Sequence, residues 1–260
     1  MSTPGLGLAL GGGAALGAAH LGVLQAMEVR GLRPQFVAGT SAGALVGAAY
    51  AAGLDLATIE ELILQARWGD FGRVTLAPRL GVLDSSTLEA TVARLGVDRP
   101  IETLPVRFAA VTTDLLTREP VALTSGPLGR ALRASIAVPG LFPPLIDEGR
   151  VLIDGGMVAN LPIGPVRELG ARWVIAVRVR PEWEYLPLAR TADQIARLEA
   201  QPGTIVIRPR VRGLSMWTMA DVPRLIRAGR EAAEEMLCGI ESVESLGQET
   251  MVLRFARRVA

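Results

Sequence analysis

Apolar positions along this chain follow two alternating rhythms. Leu6 to Leu10 is a short apolar run that ends in three glycines, and Ala18, Leu21, Leu24 and Met27 then recur at helical spacing from Gly17 to Glu28. Phe36-Val37-Ala38 reads as a second buried strand, broken by Gly39 and followed by a small-residue helix from Ser41 to about Ala52. Arg107 to Val111, Trp173 to Val179 and Thr204 to Ile207 read as further strands, and Val151 to Asp154 as an apolar strand ending in an Asp-Gly turn. Thr58 with Glu61, and Ser86 with Glu89, predict capping boxes at two helix starts. Asp221 is expected to cap a last helix whose apolar stripe is Val222, Leu225, Ile226, Ala233, Met236 and Ile240, with Gly229 leaving a gap in it. Strands separated by helices predict a three-layer α/β/α fold around a central, mostly parallel sheet. With no repeat and no low-complexity linker, residues 1–260 are expected to form a single domain.

Composition removes several function classes. Half of the residues are apolar, enough for one sizeable core and too many for a disordered chain. The 27 basic residues nearly balance 26 acidic ones, so there is no electrostatic case for nucleic acid. Every basic residue is Arg; without Lys there is neither a Walker-type phosphate loop nor Schiff-base chemistry. Cys238 is the single cysteine, which excludes an intrachain disulfide and a Cys-rich metal site and fits a reducing cytoplasm. It is expected to be a small buried hydrophobe on the last helix. Gly5 to Met27 carries no charge, yet it does not read as a signal peptide or membrane span. Its central triglycine would cost a helix roughly 2–3 kcal/mol relative to alanine, and no basic residue precedes the apolar run.

Chemistry concentrates in three places. Gly39-Thr40-Ser41-Ala42-Gly43 is a Gly-x-Ser-x-Gly sequence between a predicted strand and a predicted helix. There a serine is either a nucleophile on a sharp turn at a helix N-terminus or a simple helix cap. Gly11-Gly12-Gly13 is a turn whose backbone N–H groups can face a phosphate or an oxyanion. A dinucleotide site fits it poorly, because Leu16 or Ala14 replaces a required glycine and the second strand ends without an acid. The third is Asp154-Gly155-Gly156, either a common turn or the partner of Ser41. His20 is the single histidine and is read as a packing or capping residue inside the first helix. A nucleophilic Ser41 would then need another base, and Asp154 at a strand end on the same sheet edge is the natural replacement.

Together these segments resemble the patatin-like phospholipases, lipid acyl hydrolases that use a Ser-Asp dyad. The likeness rests on Leu8 to Leu24 with Ala19-His20-Leu21-Gly22-Val23-Leu24, on Gly39 to Gly43, and on Asp154 to Gly156 followed by Asn160-Leu161-Pro162. Ala134 to Pro144, Thr113-Asp114-Leu115 and Gly81-Val82-Leu83-Asp84 are also similar, in the expected order from Leu6 to Ile240. The resemblance implies a patatin-like fold and a lipid acyl-ester hydrolase, of phospholipase A or lysophospholipase type. Ser41 would attack the ester and Asp154 would take its proton. Gly11, Gly12, Gly13 and Ala42 would supply the oxyanion hole, and Gly39, Gly43, Gly155 and Gly156 would shape the turns. It implies no metal, no cofactor and no nucleotide, and a cytoplasmic protein in transient contact with a membrane surface.

The chain departs from the family at Ala14, where a further glycine is usual, and at Leu16, where an Arg is usual. That opens the alternative of a catalytically weak or silent binding or regulatory protein on the same fold. An acyltransferase is a further alternative, weakened by the single histidine. Trp68, Phe71, Leu214, Met216, Trp217 and Met219 line an acyl mouth, touch a membrane surface or close the core edge. The clusters Arg208-Arg210-Arg212 and Arg254-Arg257-Arg258 either meet anionic headgroups or form solvated faces.

Overall fold

A computed structural model describes residues 5–74, 83–84, 86–94, 97–180 and 192–240. Its strands are β1 (Leu6–Leu10), β2 (Phe36–Thr40), β3 (Arg73–Val74), β4 (Leu83–Asp84), β5 (Arg107–Asp114), β6 (Glu119–Leu123), β7 (Leu145–Asp147), β8 (Arg150–Asp154), β9 (Trp173–Val177) and β10 (Thr204–Ile207). Its α-helices are α1 (Ala19–Val29), α2 (Ala42–Ala51), α3 (Leu56–Gln65), α4 (Trp68–Phe71), α5 (Ser86–Arg94), α6 (Leu128–Ser135), α7 (Ile163–Glu168), α8 (Ala192–Glu199) and α9 (Val222–Met236).

Except for the small antiparallel pair β3–β4, the strands form one open mixed sheet in the order β10-β9-β1-β2-β5-β8-β7, with β6 also on β5. From β10 to β5 neighbours are parallel; β6, β7 and β8 add antiparallel pairs at the other end. Period-two alternation sends Leu8, Leu10, Val37, Phe108, Ile175 and Val177 into a large core shared with α1, α2, α5, α6 and α9. The opposite face offers Ala9, Ala38, Ala109 and Ala176, small residues against which Ile163 and Val166 of α7 pack. Both faces of the parallel half are therefore covered, which is why its strands read as continuous apolar runs.

Register explains where the site lies. β6 pairs with Ala110–Asp114 along one edge of β5, so β2 and β8 must share the other edge. Thr40 stands level with Val111, and Asp154 is level with Thr112. Two strands running in opposite directions thus meet end to end, with Ser41 one residue beyond one tip and Asp154 at the other.

Several sequence expectations are corrected. Gly39 does not break β2: it pairs with both Leu10 and Ala110. Gly17 and Ala18, expected to open the first helix, belong to a 3-10 turn, Ala14–Ala18, and α1 begins only at Ala19. Asp55, not Thr58, caps α3: its carboxylate accepts from the Thr58 N–H (2.8 Å) and hydroxyl (2.9 Å). Aspartate outcompetes threonine here because its two oxygens satisfy both donors at once. Asp221 precedes α9 but accepts from Ser215 N–H and Arg224 instead of capping the helix. Met236 is 39 % exposed, because the buried position at the end of α9 falls to Leu237 instead, and Ile240 and the exposed Cys238 lie beyond the helix. Ser86 begins α5, but its side chain, Gly81, Val82 and the Arg254-Arg257-Arg258 cluster lie outside the described residues.

Candidate active site

The carboxyl ends of three adjacent parallel strands converge on one mouth. β1 runs out into the glycine turn, β2 into Ser41, and β9 toward Arg180. The strand order turns around β1, the position where open α/β sheets form ligand crevices.

Ser41 adopts φ 53, ψ −123 at the N-terminus of α2. A non-glycine residue at positive φ costs about 1–3 kcal/mol and is kept only where its surroundings over-determine it. They do so here. The Ser41 N–H donates to Ser135 Oγ (2.9 Å), and the Ser135 hydroxyl donates to Val111 O (2.7 Å), tying the turn to β5. The Thr40 hydroxyl donates to Ala159 O at 3.0 Å. On the carboxyl side, Ala44 and Leu45 N–H groups donate to Ser41 O. The turn also needs bare backbone: a methyl on Gly43 would collide with Leu10 O, and one on Gly39 with Gly43 O.

Asp154 is 5 % exposed. Its Oδ1 accepts from Gly156 N–H at 2.7 Å, whereas Oδ2 has no aligned hydrogen-bond donor among the described residues. Burial pushes the carboxyl up to about 6, opposed by the nearby Ser41 hydroxyl, the Gly156 N–H and the Arg180 charge. The Ser41 hydroxyl is thus close enough to favour the carboxylate without completing a hydrogen bond to Oδ2, a looseness usual in such pairs before substrate arrives.

The glycine turn lies directly against Ser41: a methyl on Gly12 would stand 3.1 Å from Ser41 Cβ. The four expected oxyanion donors are not equivalent. Gly11 N–H donates to Val177 O (3.0 Å) and Gly12 N–H to Asn160 O (3.3 Å). Gly13 and Ala42 N–H groups have no such partner among the described residues. Ala14 does take the positive φ that a glycine would adopt more easily, 51°, and Leu16 turns into the core at 7 % exposure. His20 is fully buried, and its Nε2–H donates to Gly11 O at 2.7 Å. Desolvation lowers its pKa to about 4, so it is neutral and holds the turn rather than serving Ser41.

Ser41 and Asp154 open into a cavity of about 500 Å³ whose far wall includes Ile63, Val92 and Leu132. Met216 and Met219 line it. Trp68 and Trp217 stand at its lip, their ring centres 6.1 Å apart, with the Trp68 indole N–H on Trp217 O at 3.0 Å. Leu214 instead packs against the core. Arg208 and Arg210 are ion-paired with Glu199 and Glu235, and Arg212 is exposed, which suits a solvated face. Among the described residues no group of His, Cys, Asp or Glu is arranged to hold a metal ion, and no helix is long and apolar enough to cross a membrane.

Sequence reasoning missed Ser135 and Arg180. Ser135 was visible as a small polar residue between Ala134 and Ile136 at the end of α6. Arg180 has meaning only through strand register.

An uncharacterized NTE family protein of Mycobacterium tuberculosis is 40% identical over 186 residues, 68% of this chain and 49% of that protein. Lysophospholipase NTE1 of Mycosarcoma maydis is 37% identical over 179 residues, 67% of this chain and 10% of that protein. The chain thus spans about half or less of the length of these relatives. Among solved structures, VipD of Legionella pneumophila shares the fold at TM-score 0.56 and 14% identity, over 91% of this chain and 67% of that one. The type III effector ExoU does so at TM-score 0.50 and 17% identity, over 95% and 53%. The patatin-like phospholipase family model matches residues 8–167, which run from β1 through the glycine turn, Ser41 and Asp154 into α7, and the chain belongs to that family.

Proposed function

We propose that this protein is a serine acyl-ester hydrolase acting on lipids of the phospholipid or lysophospholipid class. The observation that carries the reading is the end-to-end meeting of β2 and β8. It sets a strained serine at a helix N-terminus beside a buried carboxylate, at the mouth of an apolar cavity. Lysophospholipase relatives support the lipid substrate.

In this mechanism Ser41 Oγ attacks the ester carbonyl carbon while its proton passes to Asp154. The carbonyl oxygen becomes an oxyanion held by the Gly13 and Ala42 N–H groups and favoured by the α2 N-terminus. The tetrahedral species collapses, the alcohol leaves with the proton from Asp154, and an acyl-Ser41 remains. Water, deprotonated by Asp154, then attacks the acyl carbonyl; Ser41 recovers its proton and the fatty acid departs. The raised carboxyl makes Asp154 a better base than an exposed aspartate while leaving it largely ionised at neutral pH. One oxyanion donor contributes about 2.7–4 kcal/mol, so this turn matters as much as the base. Ala14 reaches its positive φ and the turn stays closed against Ser41, which favours an active site over the silent-pocket alternative.

The test is hydrolysis of p-nitrophenyl esters of graded chain length by the wild type, Ser41→Ala and Asp154→Asn. The expected result is activity in the wild type and a loss of at least about 10³-fold in either variant, with the circular dichroism spectrum retained. Equal residual rates in all three would reject the mechanism.

A further inference from the structure

Leu10 and Val177 stand level across the β1–β9 pair, and both chains leave the sheet in the same direction. Three residues further on they are still neighbours: a methyl on Gly13 would lie 3.8 Å from Arg180 Cδ. The glycine turn, whose Leu16 is apolar, thus has the stem of an arginine from the adjacent strand beside it. Arg180 is half-buried and borders the same cavity as Ser41 and Asp154. Its charge and that of Asp154 favour each other's ionised forms, while burial works against the guanidinium. Arginine nonetheless stays protonated at any working pH, so the mouth holds a permanent cation with a planar fork of donors. Arg180 also lies beyond residues 8–167, the part of the chain that the family model matches.

The strand order gives the site a direction. Ile63, Val92 and Leu132, from α3, α5 and α6, provide apolar wall, and α6 lies against β5 and β8. Arg180 enters from β9, on the other side of β1. An ester carbonyl seated over Gly13 and Ala42, with its acyl chain in the apolar wall, therefore turns its alcohol portion toward Arg180.

We propose that Arg180 is a specificity-determining residue, binding a phosphate group on the alcohol portion of the acyl ester. This rests on the reading of Ser41 as the nucleophile and names the residue that recognises the phosphate of such a lipid. A hydrogen-bonded charge pair of this kind is worth about 10–100-fold in affinity.

The test separates binding from chemistry. Ser41→Ala protein, with and without Arg180→Gln, is titrated with dodecyl phosphate, with the uncharged dodecyl glycerol ether, and with inorganic phosphate. The expected result is that Arg180→Gln weakens dodecyl phosphate at least about tenfold more than the ether, and that Arg180→Lys recovers part of the loss. Inorganic phosphate alone should bind far more weakly than dodecyl phosphate. Equal weakening of both dodecyl ligands, or no change in either, overturns the assignment. So does inorganic phosphate binding as tightly as dodecyl phosphate, since the site would then serve a free anion. A second readout is the ratio of kcat/KM for a lysophospholipid to that for the matching monoacylglycerol, at pH 8. It should fall at least about tenfold in Arg180→Gln. Absence of hydrolysis in the otherwise wild-type protein would reject the nucleophile reading, while the binding titration would still decide the role of Arg180.

Discussion

His20 Nε2 lies 2.7 Å from Gly11 O, joining the single histidine of the chain to the first residue of the glycine turn. A carbonyl can only accept, so Nε2 carries the proton and Nδ1, buried with no partner among the described residues, is the bare nitrogen. His20→Phe keeps the bulk but removes the donor, leaving Gly11 O unsatisfied at a cost of about 1–3 kcal/mol. Because Gly13 follows in the same turn, the expected kinetic effect is a fall in kcat of tenfold or more with KM little changed. His20→Gln, which can present an N–H to the same oxygen, should restore part of the rate. A His20→Phe protein with undiminished kcat would show that the bond does not position the turn.

The raised carboxyl of Asp154 and the depressed imidazole of His20 act oppositely on stability. Asp154 titrates near 6 in the fold against 3.8 for an ordinary exposed aspartate. Between these values the folded state holds more protons, so stability falls as pH rises, and the penalty is fully present above about 6. His20 titrates near 4 rather than 6.5. Over that window the unfolded chain holds more protons, so stability rises with pH. The two slopes largely cancel in the wild type. Asp154→Asn removes one of them: the variant should be more stable than wild type by roughly 1–3 kcal/mol at pH 7–8, and by almost nothing below pH 4. Urea denaturation of both proteins across this range checks it; a constant difference would refute it. In the wild type, kcat/KM should rise with pH through about 6 and then level off.

Gly229 and Gly22 occupy the crossing of α9 and α1. A methyl on Gly22 would drive into Ile226 O, and one on Gly229 into Ala19 O. Gly229→Ala, normally favourable in a helix, is therefore expected to destabilise by about 1–3 kcal/mol or more through overpacking. A lowered thermal midpoint in circular dichroism is the readout, and an unchanged or raised midpoint would contradict the close approach.

The same glycine shows how far the sequence could be read. The apolar stripe of α9 marked its buried face from Val222 to Ala233 but not at Met236, and the gap at Gly229 is the packing point itself, which no single-helix pattern reveals. Continuous apolar runs gave the parallel strands, because both of their faces are covered. They did not give β6 and β7: Glu119–Leu123 and Leu145–Asp147 are short, half-exposed edge segments whose partners decide their state. Ser41 and Asp154 were legible from turn chemistry, whereas their end-to-end approach depends on two strands sharing one edge of β5. Arg180 was illegible for a related reason, since its place beside Gly13 follows from the β1–β9 register and not from closeness in the sequence.

Ala14 tests the strain in the glycine turn. At φ 51 an alanine costs about 1–2 kcal/mol relative to its usual regions. Ala14→Gly relieves that strain but loosens the unfolded chain, leaving an expected net gain of about 0.5–1 kcal/mol. The urea midpoint should rise; a lower one would mean that the Ala14 methyl makes contacts worth more than the strain.

The apolar wall predicts how the rate depends on chain length. Each methylene buried in the cavity contributes about 0.8 kcal/mol, or about fourfold in kcat/KM if it is held equally in the transition state. Across p-nitrophenyl esters kcat/KM should therefore climb steeply with chain length, then level off once the roughly 500 Å³ space is filled. Ile63 is half-buried and faces this space, so Ile63→Phe should fill part of it and move the optimum to shorter chains. A profile that is flat in wild type, or unmoved by Ile63→Phe, would place the acyl chain somewhere other than between α3, α5 and α6.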